Sequence, residues 1–233
     1  MRKETFGKDV IVHVVQRGAR QANIVRDESD RWRFLRLIKY LNDDSVPRNW
    51  EREIAPEHIR AGFKRPETWG EPAPYVSILA YCLMDNHFHI LLQERTEDGI
   101  AKFMQRVCTS MAAYFNTKYK ERGSLFQGPY RARVVDSDVH LQYLAAYIQI
   151  KNPFERYPHG FQNAIQNYKQ ALEWAQSDPF NSLADYLRLR QRSLVDFEAI
   201  DEIFGEEDLI TFGRDLLEGK YLRGEDFHEL ELD

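Results

Sequence analysis

Apolar positions fall along the chain in two periods, two and three-to-four, and these mark out its elements. Val10 to Val15 are rich in β-branched residues and are stopped by Arg17 and Gly18, which predicts a buried strand. Phe34, Leu37, Ile38 and Leu41 recur at i, i+3, i+4 and i+7 behind Asp30, so a helix capped by Asp30 is expected to end near the acidic turn Asn42, Asp43, Asp44. Residues 43–74 mix prolines, glycines, two tryptophans and many charges and read as an insertion, with a short helix starting at Pro56. Tyr75 to Cys82 and Phe88 to Gln93 are β-prone runs either side of Met84, Asp85 and Asn86, a pattern that predicts a hairpin. Ile100, Phe103, Met104, Val107, Cys108, Met111 and Phe115 give a long helix over 100–119. Gly123 to Gly128 break it, Arg131 to Val135 read as a short strand, and Ser137 or Asp138 caps a helix running toward Pro153.

The order β-α-β-β-α-β is the split βαβ arrangement of ferredoxin-like folds, an antiparallel sheet with helices on one face. The fold class is therefore α+β, and the seventh element, a helix, is left to cover or complete a site. Residues 1–160 are expected to form this unit, with 43–74 inserted. Ala171, Leu172, Trp174, Leu183, Tyr186, Leu187 and Leu189 make residues 161–233 a mostly helical C-terminal extension.

Composition narrows the setting. At 43% hydrophobic residues the 233-residue chain can bury a sizeable core. It has no apolar run long enough to span a membrane, and Met1 to Val10 lack a secretory apolar stretch, so a cytoplasmic protein without a membrane partner is expected. Cys82 and Cys108 have no zinc-ligand spacing and read as reduced thiols. A formal net charge of -5 speaks against nucleic acid until the chain is divided. Residues 1–160 hold 25 Lys and Arg against 20 Asp and Glu, while residues 161–233 hold 7 against 17, so the acidity belongs to the tail. Lys102, Arg106, Lys118, Lys120, Arg122, Arg131 and Arg133 face only Glu121 within 102–133, which suits a phosphate-binding stripe as well as it suits a solvated helix face.

His87 and His89 flank Phe88 on a predicted strand, and period-two alternation sends both imidazoles to one face. That geometry allows a two-nitrogen metal chelate, or simply a hydrogen-bonded polar pair. The longer string Ala80 to Leu92, containing Asp85, Asn86, His87, Phe88 and His89, resembles the HUH signature of single-tyrosine transposases. His13 to Gly18, Gly123 to Tyr130, and the helix Tyr143 to Pro153 ending in Asn152 and Pro153 resemble further landmarks of that family, in its order. Trp174 to Leu183 loosely resembles the stretch that follows in REP-associated tyrosine transposases.

The resemblance implies the HUH nuclease fold and a transposase that cuts single-stranded DNA beside hairpins through a 5′-phosphotyrosine. It implies Mg2+ or Mn2+ as cofactor, single-stranded or hairpin DNA as partner, and a nucleoid-associated location; it leaves a homodimer open. Tyr147 is the implied nucleophile, with Tyr143 one turn earlier as rival. The family places Asn or Gln four residues after its tyrosine as third metal ligand, where this chain has Lys151, whose ammonium cannot ligate. Asn152 lies five residues on, and a one-residue π-bulge or the loosening imposed by Pro153 would bring it round to join His87 and His89. Arg17, Lys118, Lys120, Arg131 and Arg133 are candidate phosphate contacts, and Phe126, Tyr130 and Trp69 candidate stacking platforms. Two other readings stay open: a non-catalytic hairpin-binding module disabled at Lys151, and a zinc hydrolase using the histidine pair to activate water.

Overall fold

The computed structural model describes residues 6–60, 62–190, 192–197, 201, 206–220 and 232. The apolar runs form four strands, β1 (Ile11–Arg17), β2 (Val76–Leu83), β3 (His87–Glu94) and β4 (Arg131–Val134), in one antiparallel sheet ordered β2-β3-β1-β4. Val14 lies opposite Ile90 and Val15 opposite His89, while β2 pairs with β3 across a bulge between Ile78 and Ala80. Alternation then sorts the side chains. Val12, Val14, Phe88, Ile90 and Leu92 point to the face covered by α1 (Glu28–Tyr40) and α4 (Gly99–Tyr119), packing with Phe34, Leu37, Phe103 and Val107. Ala80, Cys82 and Leu91 point to the other face, against α5 (Asp138–Ala146). The sheet is thus covered on both sides, the second cover being the extra helix.

One expected boundary moves. The cap of α1 is Asp27, which accepts from the Asp30 N–H, while the Asp30 carboxylate bonds back to the Asp27 N–H, so the two form a reciprocal capping box. Asp30 is the inner member of that box because its carboxylate also accepts from the Arg26 N–H and is completely buried.

Residues 43–74 contribute α2 (Trp50–Glu53) and α3 (Pro56–Arg60) and bury Trp50 and Trp69 against Tyr40. Three stretches singled out in the sequence meet at one end of the sheet: Gly18 N–H donates to Asn86 O at 2.7 Å, Ala19 N–H to Leu125 O at 2.9 Å, and Gln127 N–H to Arg17 O at 2.9 Å. Gly18 has to be glycine there, since a Cβ would run into the backbone carbonyl of Ala22.

Beyond α5 the chain passes a wide turn, Tyr147–Lys151, then α6 (Asn152–Glu155), α7 (Phe161–Gln166), α8 (Tyr168–Ser177), α9 (Leu183–Tyr186) and α10 (Glu206–Leu217). The segment between α8 and α9 lies along the outer edge of β2, with Leu83 N–H donating to Phe180 O and Ser182 N–H to Tyr81 O, both at 2.9 Å. That covers an edge that would otherwise expose unpaired backbone. α10 packs on α5 and the wide turn; Gly213 sits against Ile150 so closely that a Cβ would overlap its side chain. Among the described residues no helix is long and apolar enough to cross a membrane.

Candidate metal and tyrosine site

β3 presents His87 and His89 on the face that α5 covers, and β1 adds a third imidazole. His13 pairs with Leu91, so it stands diagonal to His89 on that face, with His13 Nε2 3.0 Å from His89 Nδ1. Their rings stack at 5.2 Å and 16°, and the His87 ring lies 4.9 Å from that of His89. His87 Nδ1 is in turn 2.6 Å from Asn86 Oδ1. Both candidate ligands therefore commit Nδ1 to a neighbour, which makes Nε2 the nitrogen each would offer a cation.

Ser137 caps α5, accepting from His140 N–H at 3.3 Å, and the helix runs regularly to Ala146. At Tyr147–Lys151 it widens into a π-turn, closed by Asn152 N–H donating to Tyr147 O five residues back. Such a turn takes up one extra residue without rotating the helix on either side. Asn152, not Lys151, is thus the residue whose N–H closes the turn on Tyr147. Lys151 Nζ lies over the Tyr147 ring at 4.3 Å and pairs with Glu155 at 3.1 Å.

Tyr147 is fully buried, its ring 5.6 Å from that of His89 and 6.5 Å from that of His13. Tyr143 stacks on Tyr147 at 6.1 Å, one turn earlier in α5. The site thus brings Tyr147, His89, His87 and His13 together, with Tyr143 behind.

Asn152 is 1% exposed and its Nδ2 has no hydrogen-bond partner among the described residues. Amide nitrogen and oxygen are assigned from the surrounding network, and with the two exchanged the carbonyl oxygen would stand at this unpartnered position, where it suits a cation. Among the described residues no three His, Cys, Asp or Glu side chains gather to hold a metal ion. Two imidazoles and an amide oxygen fit Mg2+ poorly and Mn2+ well.

Sequence reasoning overlooked Gln149, which is fully buried, accepts from Ser182 Oγ at 3.1 Å and leaves its Nε2 without a partner among the described residues. It ties the π-turn to the segment along β2. The available signal was a lone amide between Ile148 and Ile150 in an otherwise apolar stretch. Next to it, Asp185 accepts from Tyr81 Oη at 3.2 Å and pairs with Arg190 at 3.0 Å, and burial raises its carboxyl above the usual range.

The candidate DNA contacts separate. Arg17, Arg131 and Arg133 stand on the histidine face, opposite His87, Val15 and His13 respectively. Arg17 and Arg131 line a cavity of about 200 Å3 with Gln127 and Gly128. Lys120 is exposed at the end of α4. Lys118, however, is clamped by Asp27 at 2.7 Å and Asp30 at 2.6 Å, so its charge is already neutralised. Arg106, in the same basic stripe, donates to Asp43 O and Tyr75 Oη. Phe126 is buried edge-on to Phe88 at 6.3 Å and Trp69 is buried against Tyr40, so neither offers a face to a base; Tyr130 is half-buried.

Comparison with known proteins adds to this geometry. Residues 73–151 match the family model described as Transposase IS200 like. This is the family that the motifs of β2, β3 and the Tyr147 helix resemble. The matched stretch spans both histidines, α4, β4 and Tyr147 and stops at Lys151, leaving His13 and Asn152 outside it. No curated protein matches the chain. A solved structure of the REP-associated tyrosine transposase bound to a REP hairpin is similar at 13% identity with a TM-score of 0.47, over 85% of this chain and 94% of that one.

Proposed function

We propose that the protein is a single-stranded DNA endonuclease and strand transferase that cleaves beside DNA hairpins, with Tyr147 as nucleophile and a divalent cation held by His87, His89 and Asn152. The observation that supports this reading is the π-turn, in which the Asn152 N–H rather than that of Lys151 closes on the Tyr147 carbonyl, with the Tyr147 ring 5.6 Å from that of His89. Arg17, Arg131 and Arg133, on the same face, would hold the backbone of the strand, with Lys120 farther along.

A bound cation would polarise the non-bridging oxygen of the scissile phosphate. Tyr147 Oη attacks phosphorus and the bond to the 3′-oxygen breaks, giving a 5′-phosphotyrosine and a free 3′-OH. The proton lost by the phenol, whose ordinary pKa is about 10, balances the one gained by the departing oxygen. Because the phosphotyrosine keeps a phosphodiester-like linkage, attack by a 3′-OH reverses the step and joins strands.

Tyr147 is shut off from solvent, so cleavage requires it to be uncovered. That burial favours a second reading, in which the protein binds hairpins without cutting them. Incubation with Mn2+ and labelled hairpins carrying single-stranded flanks separates the two. A denaturant-resistant protein–DNA adduct, absent in Tyr147→Phe, supports cleavage; hairpin binding with no adduct supports the binding module; multiple turnover without an adduct points to hydrolysis by the histidine pair.

A further inference from the structure

We infer that His13 is a positioning residue that fixes the tautomer and ring orientation of His89, so that His89 offers Nε2 to the cation. The inference rests on the metal reading above and adds to it a residue that lies outside the matched family stretch.

The argument starts from one shared proton. His13 Nε2 and His89 Nδ1 are 3.0 Å apart between two fully buried rings, so one nitrogen donates and the other accepts. A neutral imidazole carries a proton on one nitrogen only. For His89 to present a lone pair at Nε2, its proton must sit on Nδ1 and point at His13, which accepts through Nε2 and carries its own proton on Nδ1. The same bond removes His13 Nε2 from the list of ligands, because a nitrogen accepting this proton has no lone pair left for a metal. That agrees with the lack of a three-histidine metal cluster among the described residues.

His87 reaches the same state by a different route, through Asn86 Oδ1 at 2.6 Å from its Nδ1. Ligating histidines usually donate their second N–H to a carboxylate, carbonyl or water. Here a histidine from the neighbouring strand takes that part, and the diagonal register of β1 on β3 puts it there. A flip of the His89 ring would put Cδ2 where Nδ1 stands and forfeit the bond to His13, so that bond also fixes the ring orientation.

The test uses the full chain and two readouts apart from activity: Mn2+ affinity, from the electron paramagnetic resonance signal of free Mn2+, and the His89 tautomer, from 15N-histidine spectra of the metal-free protein. Wild type is expected to show His89 protonated on Nδ1. His13→Leu, which removes the acceptor, is expected to weaken Mn2+ binding by about 10- to 100-fold, and His13→Gln, whose carbonyl can accept the same proton, to recover most of it. A His89 proton on Nε2 in wild type, or unchanged Mn2+ affinity in His13→Leu, overturns the inference. Equal and complete loss in both variants also overturns it, by making His13 a ligand. If wild type binds no Mn2+ at all the metal reading falls, and the tautomer alone then decides whether His13 sets His89. Should His13→Leu fail to fold, the glutamine variant and the wild-type tautomer carry the decision.

Discussion

Deleting Lys151 is the sharpest perturbation of the π-turn, since that turn holds one residue more than an α-helix needs. Removal should let Tyr147 O accept from an N–H four residues on, restore a regular helix, and bring Asn152 to the fourth position after Tyr147. What is lost is the pairing with Glu155, whose partners are 22% and 36% exposed, and the ammonium over the Tyr147 ring. An i, i+4 helix pair contributes about 0.3–0.5 kcal/mol and a cation–π contact on a buried ring about 2 kcal/mol. The deletion should therefore cost about 2.5 kcal/mol, or roughly 5–10 °C in melting temperature for a chain of this size. Deleting Leu144 instead, within the regular part of α5, rotates everything after it by about 100°. That turns the fully buried Ile148, Ile150 and Phe154 away from their partners and should cost well over 4 kcal/mol. Thermal melts of the two deletions, with Mn2+ binding on the Lys151 one, make the comparison. If deleting Lys151 is as damaging as deleting Leu144, or abolishes Mn2+ binding in a folded protein, the π-turn is not an accommodated insertion and the assignment of Asn152 fails.

Three further outcomes are expected. Gly18→Ala forces a Cβ into the Ala22 carbonyl where three loops meet, and should destabilise the fold by about 1–3 kcal/mol in urea unfolding; an unchanged midpoint would contradict the close approach. Burial alone would raise the Asp30 carboxyl, but hydrogen bonds from Lys118, Tyr119, the Arg26 N–H and Tyr114 outweigh it and hold the group below its usual 3.8, so its stabilisation is present above that pH and lost as pH falls further. Lys118→Met should accordingly shift acid unfolding to higher pH, and a midpoint that stays put would show the clamp to be idle. Burial pulls the Lys39 ammonium down to about 8 from 10.5, so between those values the unfolded chain binds more protons and stability from this group rises with pH; urea unfolding at pH 7.5 and 10 should show the rise in wild type and lose it in Lys39→Met.

Much of this was legible beforehand because the signals were local. β-branched runs, helical periodicity and the turn at Asp85 and Asn86 gave all four strands and both long helices to within a few residues, and period two placed His87 and His89 on one face. The extra residue at Lys151 was visible as a count of five between Tyr147 and Asn152, and a widened turn was one of two ways to absorb it. What escaped depends on contacts distant in sequence. Composition marks Lys118 as a basic-stripe residue, yet Asp27 and Asp30, some ninety positions away, neutralise it. Phe126 looks like a platform in a glycine-rich loop until the sheet turns it onto Phe88. The bond from His13 to His89 depends on which residues of β1 and β3 fall diagonal to each other, a register no single strand contains.

The central claim, that Tyr147 attacks DNA, is tested most directly by locating the covalent link. The wild-type protein would be incubated with Mn2+ and a hairpin bearing single-stranded flanks, digested with nuclease and trypsin, and the peptide holding Tyr143 and Tyr147 fragmented by mass spectrometry. A 5′-linked nucleotide on Tyr147 is the expected result. A nucleotide on Tyr143, or strand cleavage with neither tyrosine modified, would contradict the account.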